Sequence, residues 1–181
     1  MNARTSETHP LRIDVVTVAA TGGQIGITFC PGKKQTGALT GSWDRNLELD
    51  MQCIADWAPD AMVTLIEHHE FEALDVVELP LFAEHLGLEW HHLPIRDMDV
   101  PSAAFEERWP AVGDRLKRYL GNGGLVLVHC KGGLGRAGTI AARLLIEMGE
   151  PSARAIQHVR AARRGAIETG TQEAFLYSLQ R

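Results

Sequence analysis

Short apolar runs alternate along this chain with stretches in which apolar residues return every three or four positions, the signature of strands interleaved with amphipathic helices. Residues 13–19 (IDVVTVA) and 25–30 (IGITFC) read as two strands, punctuated by Gly22, Gly23, Pro31 and Gly32. Residues 33–41 read as loop. Asp44 opens a predicted helix to about Trp57, ended by Pro59. Residues 61–66 (AMVTLI) form a short apolar strand, 79–86 a helix closed by Gly87, and 90–95 (WHHLPI) a further strand. Ser102 is placed to cap the next helix, whose buried face is Phe105, Trp109, Val112, Leu116 and Tyr119. Pro110 is expected to kink it, and Gly121, Gly123 and Gly124 stop it. Residues 125–128 (LVLV) are wholly apolar, as a central parallel strand covered on both faces must be. A glycine-rich turn follows, then a helix over 136–148. Ser152 is read as the cap of another helix reaching about Arg163, and a last helix spans 171–179.

This alternation predicts an α/β fold: one domain over 13–181, with a central, mostly parallel sheet flanked by helices, preceded by a flexible N-terminal arm over 1–12. The chain has 181 residues, 45% of them hydrophobic, which suits one domain with a substantial core. Its net charge of -5 argues against nucleic acid or an anionic membrane as partner. Three cysteines, Cys30, Cys53 and Cys130, do not describe a disulfide framework or a zinc site. The N-terminus is polar and lacks a signal-peptide core, and no apolar run is long enough to span a membrane. The expected setting is cytoplasmic and reducing.

Chemistry concentrates in His129-Cys130-Lys131-Gly132-Gly133-Leu134-Gly135-Arg136. A cysteine ends a buried strand, three glycines permit a tight curve with inward N–H groups, and a helix begins at once with its positive end on the same spot. Such surroundings favour a thiolate and hold an anion. Arg136 adds a planar fork of donors suited to phosphate oxygens. A structural reading, a buried cysteine beside a nucleotide-binding-type turn, explains the glycines but not Cys130 and Arg136 together.

The His-Cys-x5-Arg pattern resembles the cysteine-dependent protein tyrosine and dual-specificity phosphatases. Pro94-Ile95-Arg96-Asp97, the loop His129 to Arg136, and Gly165-Ala166-Ile167-Glu168-Thr169-Gly170-Thr171-Gln172 together resemble the cyclin-dependent-kinase-associated members of that family. The resemblance covers most of the chain from about Asp44 onward. It implies a dual-specificity-phosphatase-like fold and hydrolysis of phosphotyrosine, and of phosphoserine or phosphothreonine, through a phosphocysteine intermediate. Cys130 would be the nucleophile, His129 a support of the loop, and Lys131, Gly132, Gly133, Leu134, Gly135 and Arg136 the phosphate cradle. The family's Asp-x-x-x-Pro acid loop falls on Asp97, with Asp99 as its rival. Gln172 falls where the family's water-placing glutamine stands, an exposed amide at a helix start being the alternative. No metal or other cofactor is implied. Ala137 departs from the Ser or Thr that many relatives place after the arginine, and Thr139 is turned about 200° away from it on a helix. Slow breakdown of the phosphoenzyme is expected.

Other features carry less. His68-His69 and His91-His92 are adjacent pairs that, on strands, would face opposite sides and not share a metal. Lys33-Lys34 reads as solvated loop, Trp43, Trp57, Trp90 and Trp109 as core, and Cys30 and Cys53 as small buried apolar residues. Lys131 has two readings: a solvated lysine, or an outward cation favouring acidic or multiply phosphorylated substrates. Three functions follow: a phosphoprotein phosphatase, a phosphatase of a phosphorylated metabolite or phosphoinositide, and a phosphoprotein-binding adaptor without turnover. Intact Cys130, Arg136 and Asp97 argue against the last.

Overall fold

The computed structural model describes residues 3–38 and 41–179. In chain order the elements are β1 (Asp14–Thr17), β2 (Gln24–Phe29), β3 (Lys34–Gln35), β4 (Trp43–Asp44), α1 (Leu47–Trp57), β5 (Ala61–Thr64), α2 (His68–Ala73), α3 (Leu79–His85), β6 (Glu89–His92), α4 (Ala103–Gly121), β7 (Leu125–Cys130), α5 (Gly135–Glu147), α6 (Ser152–Ala162) and α7 (Gly170–Ser178). The main sheet has the order β1-β2-β7-β5-β6. All its pairings are parallel except the β1–β2 hairpin. The expected α/β class and mostly parallel sheet are therefore what the chain forms.

The apolar run of β7 explains its central place. Val126 and Val128 enter the core shared with α4, α5 and α6, while Leu127 enters a second core on the opposite face, with Met51 and Ile54 of α1 and Leu79 of α3. Side chains alternate across a strand, so only an element apolar on both faces can lie between two such layers. The strand thus delivers His129 and Cys130 to the rim of the sheet with both sides covered. α5 packs directly behind it, every residue from Gly135 to Ile146 buried.

Several boundaries differ from the sequence reading. Asp44 does not open α1 but pairs in β4, and Asn46 is the cap, accepting from the Leu49 N–H at 2.9 Å. The stretch read as loop contains β3, because Lys34 and Gln35 pair with Asp44 and Trp43. Helix α2 was not anticipated, and His68 and His69 lie in it rather than on a strand; the His68 ring meets that of His92 edge-on at 4.7 Å. Helix α4 runs through Pro110 as one element. Ser152 is no cap: it lies inside α6, and its hydroxyl donates to the Leu176 carbonyl at 3.0 Å. Trp109 is buried, whereas Trp43, Trp57, Trp90 and Cys53 are only half-buried.

Residues 3–12, read as a loose arm, are tied to the domain. Arg4 bonds through its backbone to Ser42 and Asp44, and the Asn46 N–H donates to the Ser6 hydroxyl at 2.9 Å. The cause is Arg45, which is buried in a bidentate pair with Asp50 and donates through Nη1 to the carbonyls of Thr5 and His9. Among the described residues no helix is long and apolar enough to cross a membrane.

Candidate active site

The loop between β7 and α5 curves around Cys130. The thiol is buried, and the Gly133 N–H donates to its sulfur at 3.2 Å. Gly133 has φ +68°, and a Cβ there would lie 2.4 Å from the Thr28 carbonyl. Only glycine permits that turn against the neighbouring strand. The loop's carbonyls are fastened on the outer side. Lys131 O accepts from the Cys30 N–H and from Lys33 Nζ, Gly132 O from Arg163 Nη2, and Leu134 O from the N–H groups of Gly138 and Ile167. With these carbonyls held outward, the Gly133 N–H meets the sulfur, and α5 begins beside it at Gly135.

His129 roots the loop. It is fully buried and makes a 2.7 Å hydrogen bond through Nε2 to the Thr64 hydroxyl, which accepts from Trp90 Nε1 at 2.8 Å. Burial pushes its imidazole down to about 3, so it is neutral at physiological pH.

Arg136 is also buried, and its guanidinium is fully engaged at the tip. Nη1 and Nη2 donate to the two carboxylate oxygens of Glu70 at 2.5 and 3.0 Å, Nη1 donates to Ile95 O at 3.1 Å, and Nη2 lies 3.0 Å from Asp97 Oδ1. Burial works against the charge of Glu70, but the Arg136 bonds and the Glu67 N–H outweigh it and hold the carboxyl below its usual range. Glu70 was not identified from sequence. A signal was present: Glu67 and Glu70 form a reciprocal capping box at the start of α2.

The structure brings Asp97 to Arg136 and sends Asp99 elsewhere. Asp97 is half exposed and accepts from the Met98 N–H at 3.1 Å, while the Asp99 carboxylate accepts from the Val100 N–H at 2.8 Å. Gln172 is buried, not exposed. Its oxygen accepts from the N–H groups of Glu168 and Thr169, and its amide nitrogen donates to the Asp99 carbonyl at 3.1 Å. It thereby ties the loop that carries Asp97 and Asp99 to the start of α7. Glu168, also not singled out from sequence, accepts the Gly135 N–H on Oε2 at 2.7 Å. Thr139 donates to the Gly135 carbonyl at 2.7 Å, so its hydroxyl is spent inside α5 and does not replace one at Ala137. Lys131 is half-buried. The lysine pair divides: Lys34 is solvated and pairs with Asp75, whereas Lys33 is buried behind the loop, contrary to the expectation for both.

A family model described as "Polymorphic toxin system, DSP-PTPase phosphatase" matches residues 37–150. The chain belongs to that family. The matched span of this DSP-PTPase chain includes Glu70, Asp97 and the whole 129–136 loop, but neither Lys33 nor Gln172. The chain is similar to cyclin-dependent kinase inhibitor 3 of Rattus norvegicus, 28% identical over 139 residues, covering 75% of this chain and 64% of that protein. It is also similar to protein tyrosine phosphatase type IVA 3 of Mus musculus, 41% identical over 76 residues, covering 42% of this chain and 43% of that one. It thus spans less than two thirds of the length of these curated relatives. The fold is similar to that of kinase associated phosphatase crystallised with its catalytic-site cysteine changed to serine, with a TM-score of 0.81, 25% identity and 93% of each chain covered.

Proposed function

We propose that this chain hydrolyses phosphate monoesters of phosphoproteins, on phosphotyrosine and on phosphoserine or phosphothreonine, through a phosphocysteine intermediate. The observation that carries the reading is the convergence on one loop of a buried Cys130, the start of α5 and an Arg136 held by Glu70 beside Asp97. The Cys130 thiolate attacks phosphorus in line while N–H groups of residues 131–136 and Arg136 hold the equatorial oxygens. The P–O bond to the leaving group breaks, and Asp97 gives that oxygen its proton. A water then loses a proton to the Asp97 carboxylate, positioned by Gln172, and attacks phosphorus to free the thiolate and phosphate. The acid contributes about 10²–10⁴ in rate. The loop supplies the positive charge the transition state needs. The three cysteines are unpaired, which suits a reducing, cytoplasmic setting.

The test is hydrolysis of para-nitrophenyl phosphate in excess chelator, wild type beside Cys130→Ser. Activity that survives chelation and vanishes in the variant supports the reading, and a folded, reduced wild type with none points to the adaptor. Phosphopeptides run against inositol phosphates decide the substrate class: preference for the latter would replace phosphoprotein by metabolite. With alanine at 137 and the Thr139 hydroxyl bonded to the Gly135 carbonyl, rapid mixing is expected to show a burst of nitrophenol equal to the enzyme. A linear start would show that alanine at 137 does not slow breakdown of the phosphoenzyme.

A further inference from the structure

Lys33 is a buried cation without a carboxylate partner among the described residues, seated behind the catalytic loop. It is 4% exposed, and its Nζ donates to the Lys131 carbonyl at 3.2 Å, one peptide unit from Cys130. The rings of Phe29 and Trp43 wall it at 5.1 and 4.3 Å, which offsets part of the cost of burial. The nearby cations act against its charge: Arg45, paired with both oxygens of Asp50, and Arg163, which holds the next carbonyl of the loop and pairs with Asp14. Two thiols share its surroundings, Cys30 and Cys130, brought together because Phe29 pairs with Cys130 in the parallel β2–β7 ladder. Burial pushes the Cys30 thiol up strongly, so it stays protonated. The Cys130 sulfur takes the Gly133 N–H and lies beside the start of α5.

We propose that Lys33 is a positioning residue of the phosphatase reaction, holding the Lys131 carbonyl outward and serving from behind the loop as counter-charge to the Cys130 thiolate. The inference rests on the nucleophile assigned above. It also accounts for a lysine kept charged in an apolar setting: burial, joined by Arg45 and Arg163, pushes Lys33 down to about 8, and an anionic Cys130 pulls it back up. The pairing is reciprocal, since a charge that favours the thiolate is itself favoured by it.

Iodoacetamide alkylation needs no substrate and reads the thiolate directly. The labelled Cys130 peptide is quantified by mass spectrometry across pH in wild type, Lys33→Met, Lys33→Gln and the neighbouring Lys34→Met. The midpoint is expected to rise by about one pH unit in both Lys33 variants, a scale set by a single partly screened charge, and to stay put in Lys34→Met. Midpoints equal to wild type in the Lys33 variants would overturn the inference. A second measurement needs no substitution at Lys33: carbon-13 NMR of labelled lysines, where Lys33 is expected to titrate at lower pH in Cys130→Ser than in wild type. Identical titrations would overturn it as well. Absence of turnover in a wild type whose alkylation still depends on Lys33 would sink the phosphatase reading and leave standing only the pairing of Lys33 with the Cys130 thiolate.

Discussion

Two carboxylates reach the Arg136 guanidinium from different segments and in opposite states. Glu70, from α2, is buried and bidentate; Asp97, from the loop before α4, touches one nitrogen and is 51% exposed. The difference suits them to different work in the proposed mechanism. A carboxylate that gives both oxygens to a buried arginine fixes the fork and has no proton to trade. One that touches the same fork from solvent is able to approach a substrate, release a proton and recover it. In the proposed mechanism, orientation and proton transfer thus fall on two residues of the same charge.

The largest expected effect removes the fixed partner. Glu70→Ala leaves the buried Arg136 with only the half-exposed Asp97 as counter-charge, and breaking a buried pair costs about 3–5 kcal/mol in cases of this kind. Urea unfolding measures it, and a loss below about 1 kcal/mol would show that the pair is not what holds Arg136. Asp97→Asn is expected to do the reverse: stability unchanged, kcat for a phenyl phosphate with a poor leaving group down by about 10²-fold or more, and a much smaller loss with an activated leaving group. Asp99→Asn serves as its control. A leaving-group effect in Asp99→Asn and none in Asp97→Asn would exchange the two roles.

The root of the loop gives a third effect of intermediate size. His129 is held near 3 when folded and returns to about 6.5 when unfolded, so the unfolded chain takes up the proton first. Its contribution is full above about pH 6.5 and is lost as pH falls toward 3. Between pH 7 and pH 5 that amounts to about 2 kcal/mol. Replacing the imidazole in His129→Asn is expected to flatten this part of the stability profile. An unchanged slope would move the acid sensitivity to another group, of which His92, also pushed down by burial, is the first to test.

These residues also mark how far the sequence could be read. The loop was legible because its parts are contiguous: an apolar strand, a cysteine, glycines and an arginine within one turn of chain. Asp97 was reached through a second local pattern. Glu70 lies 66 positions from Arg136 and Lys33 lies 98 from Lys131, and nothing local announces either pairing. Helix α2 has six residues, too few for an apolar period, so the element that carries Glu70 went unseen. For Lys33 the reading failed on a sound rule. Lysines are almost never fully buried, and Lys34, its neighbour in the same glycine-flanked stretch, obeys that rule.

Glu168 extends the comparison to a third carboxylate, the one whose removal is expected to help. Its Oε2 accepts from the Gly135 N–H, a donor that the proposed mechanism assigns to phosphate. A Cβ on Gly135 would come within 2.6 Å of that oxygen and 2.9 Å of Gln172 Nε2, so the space is narrow as well as charged. An arriving phosphate dianion must displace the carboxylate and is repelled by it. The residue cannot simply swing with its backbone, because Ile167 before it stands at φ +59° and the Glu168 N–H is fastened to Gln172; its side chain is exposed and moves alone. Glu168→Gln keeps an acceptor oxygen while removing the charge, and is expected to tighten inhibition by vanadate or inorganic phosphate by about fivefold, the equivalent of about 1 kcal/mol for an exposed charge, with kcat little changed. Weaker inhibition would assign Glu168 the opposite role, that of holding the Gly135 peptide in place for the substrate, and would set it with Glu70 rather than with Asp97.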